Sequence, residues 1–171
     1  MRTNEERLNE LLAHLDSLDH IHVDEIPQID LYMDQVTTFM EKHLGELKRY
    51  PEDKVLTKTM INNYAKNNLL PSPVRKKYTQ EHILLLVFIY YFKNFLSIKD
   101  IETMLTPITD KYFDTDKDFD ITSIYKEVCE LEKSRIPEFE KEIIRSYNTS
   151  KKSFVEVPED DRDSLQLFAF I

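Results

Sequence analysis

Apolar residues recur along this chain mostly at intervals of three and four, the helical period. Leu8, Leu11, Leu12, Leu15 and Leu18 follow a Thr3-Asn4-Glu5-Glu6 start in which Thr3 and Glu6 can cap each other's backbone amides, so a first helix is predicted to end near Asp19. A connector runs through His20-Ile21-His22 to Ile26-Pro27. Asp30 is placed to cap a second helix with Leu31, Val36, Phe39, Met40 and Leu44 on one face, and Gly45 to end or bend it. Tyr50-Pro51-Glu52-Asp53 reads as a turn. Thr57 then caps a short helix whose Met60, Ile61 and Tyr64 point inward, while Lys58, Thr59, Asn62, Asn63 and Lys66 form the opposite face. Asn67 or Asn68 can take the left-handed backbone that ends it, because Asn tolerates positive φ. Pro71 and Pro73 hold Leu70 and Ser72 extended.

Thr79, with His82 three residues on, opens a long helix. Ile83 to Phe92 is apolar on nearly every face, which places it in the centre of the fold or in a subunit interface. Ser97-Ile98-Lys99-Asp100 caps the next helix, with Ile98, Ile101, Met104 and Leu105 inward and Pro107 as its end. Asp114, Asp116, Asp118 and Asp120 have the spacing of the start of a calcium loop. The Gly for its sharp turn and a bidentate Glu are missing, so the segment reads as a solvated linker. Ile121, Ile124, Val128 and Leu131 suggest a coiled-coil-like seam, interrupted by Pro137. Phe139, Ile143 and Tyr147 continue in a new helix, and residues 148–153 form a polar, basic break. Asp163 to Ile171 closes on an apolar stretch that should dock on the body, unless the chain continues beyond it.

Composition narrows the classes. The 171 residues include one Gly and one Cys, with hydrophobic content of 41%. So little Gly argues against phosphate-cradling loops and against a sheet of tight hairpins, leaving a mostly α fold. Cys129 alone forms no internal disulfide or cysteine metal cluster, which fits a reducing, cytoplasmic setting. No apolar run is long enough to span a bilayer, so no membrane is expected. His20 and His22 lack a third convergent ligand and read as a solvated loop, so no metal or other cofactor is expected. No nucleophile–base pair is visible either, and the chain is not expected to be an enzyme.

Charge changes the picture. The chain carries −9 overall, yet residues 42–78 hold nine basic side chains against Glu46, Glu52 and Asp53. Residues 1–41 hold Arg2 and Arg7 against ten acidic ones. A basic island between acidic flanks can meet phosphate locally although the whole molecule repels it. A solvated basic helix face accounts for the same composition. The order of parts within the island favours nucleic acid: a short polar-faced helix, an Asn-Leu-Leu-Pro stop and the run Arg75-Lys76-Lys77. Thr57, Lys58 and Thr59 at a helix N-terminus could hold a phosphate. Asn62 and Asn63 could bond adenine bidentately, worth ~1–3 kcal/mol of discrimination, or could be no more than exposed helix polars. Lys66, Arg75, Lys76 and Lys77 would lie on the flanking backbone.

The segment from Val55 to Leu105 resembles the DNA-binding domain of MerR-type regulators. The likeness runs through Thr57, Ile61, Tyr64, Leu69-Leu70-Pro71, the basic run before Tyr78-Thr79, the Ile83/Leu86/Ile89 helix and Phe95-Leu96-Ser97-Ile98-Lys99-Asp100-Ile101. With Leu31-Tyr32-Met33-Asp34-Gln35-Val36 upstream, the chain looks closer still to a bacterial family known as domain of unknown function 1836. It departs from the MerR pattern in three places. Asn62 and Asn63 stand where an Arg usually precedes the aromatic, Asn68 stands where Gly is usual, and Pro73-Val74 stands where a Gly-containing wing tip is expected. Effector cysteines of metal-sensing relatives have no counterpart. The resemblance implies a MerR-like winged helix-turn-helix at residues 29–108, with an N-terminal helix and connector at 1–28 and a C-terminal helical region at 109–171.

The expected function is therefore that of a transcriptional regulator binding double-stranded DNA through Thr57, Lys58, Thr59, Asn62, Asn63, Lys66, Arg75, Lys76 and Lys77. One recognition helix rarely suffices, so a homodimer is expected, joined through Ile83–Phe92 or through Ile121–Leu131. The alternative is a protein-interaction module on a helix-turn-helix scaffold without DNA binding. Operator, effector and direction of regulation are not legible.

Overall fold

The computed structural model describes residues 3–16, 20–48, 50 and 52–170. Among these the chain is mostly helical, with seven α-helices and one small sheet: α1 (Asn4–Asp16), β1 (Leu31–Tyr32), α2 (Met33–Leu44), α3 (Lys58–Lys66), β2 (Lys77–Tyr78), α4 (Gln80–Phe92), α5 (Ile98–Tyr112), α6 (Ile121–Ser150) and α7 (Glu159–Phe170). The chain divides into two compact units: Ile21–Val128, and Met1–His20 with Cys129–Ile171. No described helix is long and apolar enough to cross a membrane.

The unit Ile21–Val128 is built on α4. Because α4 is apolar all round, it can only be stable when covered on every side. Ile83, Leu84, Leu85, Leu86, Val87 and Ile89 are 0% exposed. The rest of this core comes from Val36, Met40 and Leu44 of α2, Ile61 and Tyr64 of α3, and Ile101 and Leu105 of α5. Ile121 and Tyr125 from the start of α6 are buried too, and the Tyr125 hydroxyl donates to the Ile21 carbonyl at 2.9 Å. That bond joins the two ends of the unit. The sheet is one antiparallel pair, Leu31 opposite Tyr78 and Tyr32 opposite Lys77.

The second unit has a thinner interior. Thr3 and Glu6 cap α1 reciprocally as its sequence predicts: the Thr3 amide donates to Glu6 Oε2 at 2.8 Å and the Glu6 amide to Thr3 Oγ1 at 3.2 Å. Leu8 is buried there. Leu18 and the expected end near Asp19 lie outside the described residues. The Phe170 ring meets Tyr147 edge-on at 5.6 Å, so part of the apolar C-terminal stretch docks within this unit. Gln166 donates to the carbonyls of Lys151 and Ser153 at 2.8 and 3.0 Å, fastening α7 to the turn after α6.

Several local expectations are corrected. Asp30 does not cap α2. Leu31 and Tyr32 give their backbone to β2, so the chain stays extended until Tyr32, whose amide donates to Gln35 Oε1 at 2.9 Å. Ile98 and Met104 are exposed, and Ile101 and Leu105 alone carry the buried stripe of α5. Pro107 lies inside α5 and does not end it. Proline removes one N–H and crowds one carbonyl, a local cost that buried Ile101 and Leu105 oppose by keeping the helix in register. Threonine hydroxyls also engage this helix, Thr106 to Glu102 O at 2.7 Å and Thr109 to Leu105 O at 3.2 Å. Pro137 likewise lies inside α6, which is one helix of 30 residues and not two. The helix around Pro137 is largely exposed, so water can reach the backbone that the proline ring crowds. The polar break begins after Ser150, and Leu131, expected in an apolar seam, is exposed.

Candidate functional site

Helix α3 forms because Thr57 holds an extended backbone and its Oγ1 accepts the Met60 amide at 3.2 Å. Its inward face is Ile61 and Tyr64, with Met60 half-buried. Thr59, Asn62, Asn63 and Lys66 are exposed, and their i, i+3, i+4, i+7 spacing makes one stripe. The helix stops at Asn68, whose φ of 59° turns the chain so that the Leu69 and Leu70 amides both reach the Tyr64 carbonyl. Asn67 spends its side chain on the Asn63 carbonyl at 2.8 Å. The neighbouring Asn62 and Asn63 side chains point to solvent.

The basic run has a more specific geometry than its sequence suggests. The Lys77 amide donates to the Val74 carbonyl at 3.0 Å, closing a two-residue hairpin turn. The residues between are Arg75, φ 52°, and Lys76, φ 62°. Two successive positive φ angles are the mark of a type I′ turn, which Asn-Gly normally occupies. The tip therefore stands at Arg75-Lys76 and not at Pro73-Val74. Holding two side-chain-bearing residues left-handed costs on the order of 1–3 kcal/mol each. Both are exposed. Lys77 is half-buried, its Nζ 5.5 Å from the centre of the Tyr32 ring.

The predicted residues thus fall into three groups. Lys58 and Lys77 converge on the first turn of α2: Lys58 forms an ion pair with Asp34, and Lys77 covers Tyr32. Thr59, Asn62, Asn63 and Lys66 share the outer face of α3, and Arg75 and Lys76 form the turn tip. The proposed phosphate cradle at the start of α3 is reduced, because the Thr57 hydroxyl serves its own helix and the Lys58 charge is met by Asp34. Sequence reasoning missed both Asp34 and Tyr32. Asp34 lies far from Lys58 along the chain, and no local pattern links them.

Behind the turn, His82 is fixed by the N-cap of α4. Its Nδ1 accepts the Thr79 amide at 3.0 Å and lies 2.8 Å from the Thr79 hydroxyl. Tyr78 and Phe113 meet its ring edge-on at 5.5 and 4.8 Å, and the residue is 2% exposed. Burial pushes its pKa down to about 4, so it is neutral at pH 7 and anchors β2 to α4 without charge. Among the described residues no group of three His, Cys, Asp or Glu is placed to hold a metal ion. What the arrangement offers is polar and cationic surface on a rigid support.

Comparison with known proteins gives one match. A family model described as Domain of unknown function (DUF1836) matches residues 21–128, the span of the α4-centred unit. No curated protein and no solved structure matches the chain. Since the matched span is more than half of the sequence, this protein belongs to the DUF1836 family.

Proposed function

We propose that this protein is a cytoplasmic DNA-binding transcriptional regulator, working as a homodimer through a MerR-like winged helix-turn-helix. In this reading α2 and α3 are the helix pair, and the β1–β2 pair with the Val74–Lys77 turn is the wing. The observation that carries it is the Arg75-Lys76 tip: two cationic residues held left-handed at a conformational cost and left exposed. Beside it, α3 presents Thr59, Asn62, Asn63 and Lys66 outward, the residue types that bond base edges and phosphates. The wing and α3 share one support, since Lys77 and Lys58 both rest on the start of α2. For the dimer, α4 is spent within its own unit, whereas Leu131 on α6 is exposed and available.

Fluorescence anisotropy against genomic fragments, at low and moderate salt, tests the reading. Sequence-preferring binding is expected, and replacing both Arg75 and Lys76 by Ala should reduce the magnitude of the log–log salt slope by about 2. Footprinting on the promoter of the protein's own gene locates the operator. Absence of any preference, or binding untouched by the double variant, rejects it.

One observation favours a second reading, that of a protein-interaction module. Asp34 neutralises Lys58, the cation at the start of α3, which is the opposite of what a phosphate-gripping helix needs. Co-purification of a protein partner free of nucleic acid would support that alternative.

A further inference from the structure

A cleft elsewhere in the unit Ile21–Val128 carries chemistry that neither reading uses. It measures about 360 Å³, and Lys48, Lys54, Lys93, Asp53, Tyr90 and Asn94 are among its walls. Lys93 follows the last residue of α4 and is half-buried. Its Nζ donates to the Val55 carbonyl at 2.8 Å and lies 4.7 Å from the centre of the Tyr90 ring. An ammonium has three donors. A carbonyl and a ring face leave donors to spare on a cation that has already lost much of its water. Burial accordingly pushes the Lys93 pKa below the ordinary lysine value, with nearby Asp53 acting against the shift.

The neighbouring charges are unequal. Lys48 is bonded to Glu41 at 2.6 Å, and the same carboxylate accepts the Val55 amide at 3.3 Å, so Glu41 is committed to these two donors. Lys54 is exposed at the rim. Asp53 is the one carboxylate among the lining residues, against three lysines. Asn94 lends its side-chain amide to the Tyr90 carbonyl through a long bond of 3.4 Å and keeps a second N–H for another acceptor.

We propose that this cleft binds a small oxyanion, a phosphate or a carboxylate, with Lys93 and Lys54 as charged ligands and Asn94 as a neutral donor. The site rests on the cleft alone and not on the DNA-binding reading. Its place gives it leverage, because Val55, which Lys93 holds, stands two residues ahead of the Thr57 cap of α3.

Calorimetric titration of the full chain with inorganic phosphate, pyrophosphate and tricarballylate is the test. A saturable one-to-one isotherm is expected for at least one of them. Pyrophosphate tighter than tricarballylate assigns a phosphate ligand, and the reverse order assigns a carboxylate. Affinity should fall about tenfold or more in Lys93→Gln and several-fold in Lys54→Gln, because charge-assisted hydrogen bonds are the strong ones. It should be unchanged in Lys76→Gln, which lies on the hairpin turn. Lack of saturation by all three anions at millimolar concentration overturns the proposal. So does an equal loss in Lys76→Gln, which would mark loose attraction to surface charge. Lys54 is exposed, so its variant keeps the test decisive even if the Lys93 variant does not fold.

Discussion

The two units of this chain treat their apolar residues in opposite ways. In the unit Ile21–Val128, α4 hides a run of large aliphatic side chains completely, and α2, α3, α5 and the start of α6 each add members to that core. In the unit of Met1–His20 with Cys129–Ile171, Leu8 and Tyr147 are the buried hydrophobic residues among those described. There Phe168, Phe139 and Leu131 stand 81%, 61% and 56% exposed. Its helices are tied instead by polar links: Asn4 to the Asp163 carbonyl at 2.8 Å, His20 to Glu132 at 2.9 Å, and Gln166 to the turn after α6. Helical content alone therefore says little about where stability resides. The α4-centred unit owes its stability to burial, while the other leans on caps and hydrogen bonds that water also competes for. The second unit should open at lower free energy, visible as faster amide exchange in α1 and α7 than in α4.

The largest contrast comes from cutting the core itself. Leu85→Ala removes a side chain with no exposed surface and leaves a cavity in a tightly packed helix. The expected loss is ~2–5 kcal/mol, read from the urea midpoint at constant slope. A loss below ~1 kcal/mol would mean that α4 is not the centre of the unit and would erase the comparison.

Acid should act on the same unit next. His82 is neutral when folded, with a pKa of about 4 against 6.5 for the free side chain. Above pH 6.5 neither state gains a proton there, and stability is unaffected. As pH falls from 6.5 to 4 the unfolded chain takes up the proton first, so the folded state loses ground. The loss totals about 3 kcal/mol at the lower end. Asp30 and Asp114 pull the other way, their negative charge favouring the protonated ring. In His82→Gln the side chain can still accept the Thr79 amide while no longer titrating. Its stability profile should flatten between pH 6.5 and 4, and an unchanged slope would assign the acid sensitivity elsewhere.

What the sequence revealed and what it hid divide along the distance over which residues act. The Thr3, Thr57, Thr79 and Ser97 caps, the outer stripe of α3 and the all-round burial of α4 were readable, because each depends on residues within a turn or two of one another. The Asp34–Lys58 pair and the two-residue strand Leu31–Tyr32 were not, because their partners lie far along the chain. Pro107 and Pro137 misled for a related reason: local propensity says stop, and packing or solvent access elsewhere on the helix overrules it. The hairpin tip escaped notice because neither Gly nor Asn marks it. The bridge from Lys77 back to Val74 closes over two residues only, and that spacing places Arg75 and Lys76 in left-handed backbone.

That turn should give a smaller effect of opposite sign. Arg75→Gly or Lys76→Gly relieves a left-handed residue and should stabilise the α4-centred unit by about 1 kcal/mol each. If the turn is the wing of a DNA-binding surface, each variant should also lose affinity for DNA and flatten the salt dependence by about one ion. A gain in stability with no loss in binding would separate the strain from the function.

The smallest effect belongs to the other unit and closes the comparison. Phe139 borders an apolar groove of about 340 Å³ with Leu11, Ile143 and Phe170, yet most of its ring faces water. A residue on an isolated helix is already partly covered by its own backbone and by the preceding turn, so 61% exposure leaves little tertiary burial to lose. Phe and Ser also have similar helix propensities. Phe139→Ser should therefore change stability by no more than about 0.5 kcal/mol, within the range of ordinary surface substitutions. A loss of several kcal/mol would show that Phe139 is covered in solution by a partner or a second copy. The thinness of this unit's core would then be a property of the isolated chain alone.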